Sequence, residues 1–172
     1  MTKRHFTNKW MIAALCLCGS NAAMAATITN TFTVSSTISD ACSTPSAGNL
    51  DFGTYNPLSG SNATATATIT ITCTSTTTIT SVTLSAGGSG SINSRQMSKT
   101  GDATKKLNYQ LYKDSGRTTV WGDGTNGATN NVTGNAGTGS AQTLTVYGTI
   151  AASQTSVVPG SYTDTITVTI NY

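Results

Sequence analysis

The chain has 172 residues, of which 37% are hydrophobic and only 9% charged, with nine lysines and arginines against six acidic residues and a single histidine. All six acidic residues are aspartates and the histidine is His5, so catalysis built on a histidine with a carboxylate has almost nothing to draw on. The formal charge of +3 is small, and the lysines and arginines are not gathered into a nucleic-acid footprint, so no nucleic-acid partner is expected.

In chain order, the first 25 residues form a separate object. Lys3, Arg4 and Lys9 make a positive region, residues 11–18 a short apolar run, and Ala23, Met24 and Ala25 a small-residue cleavage site, which together read as a secretory signal peptide over residues 1–25. The apolar run falls short of the roughly 18 residues a membrane span needs, and no other stretch approaches that length. Leu17 in front of Cys18 argues against lipid attachment there. Three basic residues, His5, Cys16 and Cys18 lie inside the signal, so the mature domain, residues 26–172, balances six basic residues against six aspartates and keeps two cysteines.

Immediately after the cut, Ile28, Phe32, Val34 and Ile38 share one parity against Thr27, Thr29, Thr31, Thr33, Ser35 and Thr37, the period of a half-buried strand. Further strands are expected at 49–55, 64–74, 79–85, 106–113, 118–121 and 142–150, with glycine-, serine- and asparagine-rich surface loops at 86–101 and 122–139. The last eleven residues alternate again: Tyr162, Ile166, Val168, Ile170 and Tyr172 face one way, and Thr163, Thr165, Thr167, Thr169 and Asn171 the other. No segment shows a 3.6-residue apolar period. Seven or eight short strands separated by turn residues predict one all-β domain, an antiparallel β-sandwich.

Cys42 continues the parity of Ile38, and Cys73 that of Ile69 and Ile71, so a disulfide between them is expected inside the sandwich of an exported chain. Closing that loop would contribute roughly 3 to 4 kcal/mol in the chain-entropy model. Catalytic and metal chemistry is poorly supplied: Asp114 and Asp123 lack the dense oxygen spacing of a calcium loop and read as turn formers. Gly122, Gly124 and Gly127 match a dinucleotide fingerprint in spacing alone, since neither a helix nor a βαβ unit follows. No cofactor, no metal and no enzymatic activity are expected.

Five segments in order carry a family likeness. They are Leu50-Asp51-Phe52-Gly53-Thr54-Tyr55-Asn56-Pro57-Leu58; Ile71-Thr72-Cys73; Leu107-Asn108-Tyr109-Gln110-Leu111-Tyr112 with Arg117-Thr118-Thr119-Val120-Trp121-Gly122-Asp123-Gly124; Thr145-Val146-Tyr147-Gly148-Thr149-Ile150; and Pro159-Gly160-Ser161-Tyr162-Thr163-Asp164-Thr165. Together they resemble the spore coat protein U domain, over nearly the whole mature chain. The resemblance implies an exported subunit of an archaic chaperone-usher pilus or a related coat, serving adhesion or biofilm formation. It further implies an immunoglobulin-like sandwich without its last strand. A periplasmic chaperone would fill that groove first, and the N-terminal strand of the next subunit would replace it after passage through an outer-membrane usher.

The two terminal stripes suit that scheme. Ile28, Phe32, Val34 and Ile38 would form the donor strand, and Tyr162, Ile166, Val168, Ile170 and Tyr172 the edge that accepts chaperone or donor by β-strand addition. The plainer alternative makes residues 26–41 the first strand of their own domain, and the sequence does not divide them between the two roles. A rival function is a carbohydrate-binding adhesin or tip protein. Of the aromatic residues, Tyr109 shares parity with Leu107 and Leu111 and belongs to the core, which leaves Tyr112 and Trp121 as candidate ligand contacts.

Overall fold

The computed structural model describes residues 25–125, 132 and 135–172. The expected signal peptide lies outside the described residues as far as residue 24, and so does most of 126–134 in the expected loop, Gly127 included. In chain order the strands are β1 (Ser46–Ala47), β2 (Ala63–Ile71), β3 (Thr78–Ile79), β4 (Ser81–Leu84), β5 (Gln96–Lys99), β6 (Asp102–Asn108), β7 (Gln110–Tyr112), β8 (Asn135–Ala136), β9 (Gln142–Ile150), β10 (Tyr162–Thr163) and β11 (Val168–Asn171). Apart from a short 3-10 turn at Gly87–Ser89, no helix occurs among the described residues.

The threonine alternation of β2 gives the longest ladder. Its nine residues pair antiparallel with β9 from Ala63↔Ile150 to Ile71↔Gln142, turning Ile69, Ile71, Val146 and Ile150 inward while Thr64, Thr66 and Thr68 stay exposed. β1 flanks β2 and β7 flanks β9, so this sheet runs β1-β2-β9-β7. The opposite layer comprises β10-β5-β6 and β11-β4, with a small pair β3-β8. Its Val82, Leu84 and Leu107 meet the first sheet in one core, together with Ile79, Tyr109, Leu111 and Trp121. An all-β antiparallel sandwich is therefore what the chain forms.

Several local expectations need correction. The strand expected at 106–113 is two strands in different layers, because the chain crosses over at Tyr109, whose N–H donates to Arg95 O at 3.0 Å. The loop expected at 86–101 contains β5 and buries Ile92 and Arg95. The Arg95 guanidinium donates to Leu84 O, Ser85 O and Trp121 O and to Gln110 Oε1, so a charged residue in a serine-rich stretch is the internal tie of that stretch. Segments 49–55 and 118–121 form no strand; Val120 keeps only an isolated bridge to Tyr112.

The chain divides into Met1–Thr37 and Ile38–Tyr172. Residues 25–41 form no strand, contrary to the N-terminal alternation, and every one of them is exposed. An alternating sequence needs a ladder partner and a surface to cover, and residues 25–41 are given neither a strand partner nor a buried face. Just beyond, Cys42 and Cys73 are joined by a disulfide with Cα atoms 4.0 Å apart, flanked by bonds from Ser43 N–H to Thr72 O and from Thr74 N–H to Ala41 O, both 2.8 Å.

Candidate functional site: an apolar groove beside the last strand

The C-terminal alternation survives in the fold as a face that is only half covered. Tyr162, Ile166, Val168 and Ile170 are half-buried, as is Asp164 on the same parity, while Thr163, Thr165, Thr167, Thr169 and Asn171 are exposed. One backbone edge is paired, β10 to β5 through Tyr162↔Lys99 and β11 to β4 from Val168↔Leu84 to Asn171↔Ser81. Between them Ser85 N–H donates to Thr167 O at 3.0 Å and Thr167 N–H to Ser85 Oγ at 2.9 Å. No described strand pairs with the opposite edge.

An immunoglobulin constant-type sandwich sets strands A, B, E and D in one sheet and C, F and G in the other. Here β1, β2, β9 and β7 take the first set in that order, and β4 with the C-terminal strand takes C and F. The position of G, beside the free edge, is filled by no described strand. A groove runs along it. Ala47, Gly48, Asn49, Leu50 and Phe52 stand on one side, Asp164, Ile166 and Val168 on the other, over Ile69, Leu84, Met97, Tyr109, Leu111 and Val146, enclosing about 380 Å³. Past Leu50, Phe52 and Met97 it continues into a stretch of about 880 Å³ between residues 50–57 and 157–162.

Residues 49–55, which have no ladder, are placed by packing. Gly148 of β9 lies beneath them, and a Cβ there would come within 2.8 Å of Leu50 Cδ2 and Phe52 Cζ, so glycine lets these two side chains close on the sheet and any larger residue would push them off it. The Phe52 ring meets Tyr109 edge to face at 6.4 Å, and Tyr55 anchors the far end through its hydroxyl to Ala151 O at 2.8 Å.

One polar cluster interrupts the apolar lining. The Tyr109 hydroxyl donates to Asp164 Oδ2 at 2.6 Å, and Asp164 Oδ1 accepts the N–H groups of Gly88 at 2.9 Å and Thr165 at 2.8 Å. Gly87, at φ +66°, leaves room for that carboxylate, which a Cβ would strike. Burial first, and the bond to Asp164 second, push the Tyr109 phenol well above its ordinary value, so it remains a donor. Burial lowers the Arg95 guanidinium from its usual range, and its donors are taken up by carbonyls.

Of the sequence-predicted site residues, the structure brings Ile166 and Val168 into the groove wall and Tyr162 into its wider stretch. Ile170 continues the same face on β11, and Tyr172 is 56% exposed beyond it. Ile28, Phe32, Val34 and Ile38 are exposed by 84–96%. Trp121 is not a ligand contact: it is fully buried, with Nε1 donating to Val82 O at 2.8 Å, because the turn after Val120 folds inward under β4. Tyr112 is half-buried on β7 opposite Tyr147. Asp114 accepts N–H groups from Thr118 and Thr119, and Asp123 the hydroxyl and N–H of Thr125; these bonds hold both carboxyls below the usual range and account for them as turn formers. Among the described residues no group of three metal-binding side chains exists, and no helix is long and apolar enough to cross a membrane.

Sequence reasoning missed Leu50, Phe52, Met97 and the Tyr109–Asp164 pair as parts of the site. The available signal was Asp164 itself, the one charged residue on the inward parity of the last strand.

The Spore Coat Protein U domain family matches residues 28–169, and the chain belongs to that family. No curated protein sequence gives a significant match. The family is one of structural, pilus- and coat-type domains, associated with the cell surface or exterior rather than with enzymatic activity.

Proposed function

We propose that the protein is a structural subunit of a surface pilus or secreted coat, assembled by donor-strand complementation and supporting adhesion or biofilm formation. In this reading residues 1–25 direct export and are removed. A periplasmic chaperone occupies the groove beside the C-terminal strand, an outer-membrane usher receives the complex, and the N-terminal stripe of another subunit replaces the chaperone. The observation that supports the reading is that one chain carries both an apolar stripe exposed by 84–96% and an apolar groove beside a strand edge that no described strand pairs. Burying Ile28, Phe32, Val34 and Ile38 at about 1.5 to 3 kcal/mol each supplies on the order of 10 kcal/mol before ordering costs, besides a ladder of main-chain bonds. The rival role of sugar-binding adhesin keeps Tyr112 alone of its two candidate contacts.

The test is a ladder of boiling-sensitive oligomers on a gel beside a chaperone pull-down. Deleting residues 26–31 should leave a chaperone-bound subunit that no longer donates, and Phe32→Asp should weaken polymers more than chaperone binding, since it would bury an unpaired charge. Normal ladders from the deletion would remove the donor role from this segment. Loss of chaperone binding would assign it to the subunit's own core.

A further inference from the structure

The groove has a pattern as well as an apolar character, and so does the stripe. Read along the inward parity, the C-terminal strand presents Tyr162, Asp164, Ile166, Val168, Ile170 and Tyr172, with one polar position, second from its start. The even residues of the N-terminal segment are Ile28, Asn30, Phe32, Val34, Ser36 and Ile38, with polar positions second from each end. Both stretches are eleven residues long, about 35 Å when extended.

Resting on the donor-strand reading, we infer that residues 28–38 of one copy pair antiparallel with residues 162–172 of a second copy in the single register that sets Ser36 opposite Asp164. Ile38 then faces Tyr162, Val34 faces Ile166, Phe32 faces Val168 and Ile28 faces Tyr172. Asn30, opposite Ile170, is the one mismatch, and it falls next to the open end where Tyr172 is half exposed. Sliding by two residues either way puts Val34 or Ile38 over the Asp164 carboxylate and sets Ser36 against Tyr162 or Ile166. Pairing Asn30 with Asp164 instead leaves Val34 and Ile38 beyond the groove.

The carboxylate decides among these. Asp164 has about four acceptor positions and uses three, on Tyr109, Gly88 and Thr165. A serine hydroxyl in the opposing strand can supply a further donor, whereas an aliphatic side chain would strip water from the charge and return nothing.

In the antiparallel sense the occupant is another copy. Ala41 is fixed beside Thr74, and Asp40 takes the Thr77 hydroxyl, at the corner between β2 and β3; Asn171 bonds Thr80 at that same end. Antiparallel insertion would require Ile38 to reach Tyr162 at the opposite end, about 30 Å away, whereas the three residues from Ile38 to Ala41 span about 10 Å.

The experiment is cysteine pairing between copies. A full-length chain carrying Phe32→Cys is co-expressed with one carrying Ile166→Cys, Val168→Cys or Ile170→Cys, which leaves Ser36 and Asp164 in place, and linked species are read on non-reducing gels, with the unoxidised ladder of each pair as the check on assembly. Opposed Cα atoms of such a pair lie about 5.5 Å apart and the diagonal ones 7–8 Å, beyond disulfide reach. Linkage with Val168→Cys is expected to exceed the other two at least tenfold. Dominant linkage at Ile166→Cys or Ile170→Cys overturns the register while leaving donor-strand assembly intact, and intact ladders without linkage at any of the three overturn the face assigned to the stripe. Absence of ladders from the unsubstituted chain overturns the donor reading itself. In a second arm, Ser36→Leu should lower the temperature at which the ladder dissociates while Ser36→Thr leaves it unchanged; equal ladders from both would remove Asp164 as the registering group.

Discussion

The two terminal stripes carry the same alternation of large apolar residues with threonine, yet they meet different fates. From Tyr162 onward the stripe is paired on one edge with β4 and β5, and its apolar side chains are half covered by the core. From Ile28 to Ile38 the stripe has no strand partner, and its large side chains stand in solvent. Period-two patterning therefore encodes the capacity to be a strand. Which stripe becomes one within its own domain is decided by what lies next to it: β4 and β5 are available to the C-terminal stripe, while residues 39–42 are held at a corner of the sandwich.

This contrast can be tested by placing charges on each stripe in turn, beginning with the largest effect. Ile166→Asp with Ile170→Asp puts two carboxylates on a face that packs against the core, at a cost on the order of 5 kcal/mol; little folded subunit should accumulate, and none should co-purify with a chaperone. If the double variant persists at normal levels with its chaperone, the C-terminal stripe is not the bound edge.

Next comes the staple that follows the N-terminal stripe and ties the chain to the end of β2. Cys42→Ser with Cys73→Ser should lower stability by roughly 3 to 4 kcal/mol and the melting temperature by about 10 °C, followed by circular dichroism. Non-reducing peptide mapping of the unsubstituted protein should recover the Cys42–Cys73 link, and two readily alkylated thiols would contradict it.

A smaller loss, about 2 kcal/mol, is expected from Tyr109→Phe, which removes a donor from Asp164 and is read as a shift in the urea midpoint. Because the folded state raises the phenol above its ordinary value of 10.0, Tyr109 contributes fully below pH 10 and progressively less as the pH rises beyond it. Unsubstituted protein should thus lose stability on the alkaline side more steeply than the Phe variant, and parallel alkaline curves would show that Tyr109 does not titrate against folding.

The smallest effect on the domain is expected at the other stripe. Phe32→Asp should change its melting point by no more than a surface substitution does, within about 0.5 kcal/mol. A larger loss would mean that residue 32 packs in its own domain and would erase the contrast.

Much of the architecture was legible from pattern. The ladder of β2 with β9 follows from Thr-apolar alternation at 63–71 and 142–150, and the burial of Tyr109 from its parity with Leu107 and Leu111. What was hidden depended on contacts distant in sequence. Arg95 reads as an exposed loop residue until Gln110 and the carbonyls of Leu84, Ser85 and Trp121 converge on it. Trp121 reads as an exposed aromatic until β4 supplies Val82 O. Segment 49–55 has strand residues but no ladder, since Leu50 and Phe52 are placed by their fit over Gly148, a relation between side chains and a missing Cβ that no local period reports.

The disulfide also has a mechanical meaning. A pull on the N-terminal segment reaches Cys42 before it reaches β1, whose two residues make a short pairing with β2. The covalent bond carries that force directly to Cys73, two residues past the end of β2, and so into the nine-pair ladder with β9. Tension is thereby applied along the longest strand pair, where many bonds must shear together, and the weak first strand is bypassed. Under such a pull the domain would behave as a crosslinked rod does, with β1 carrying little of the load.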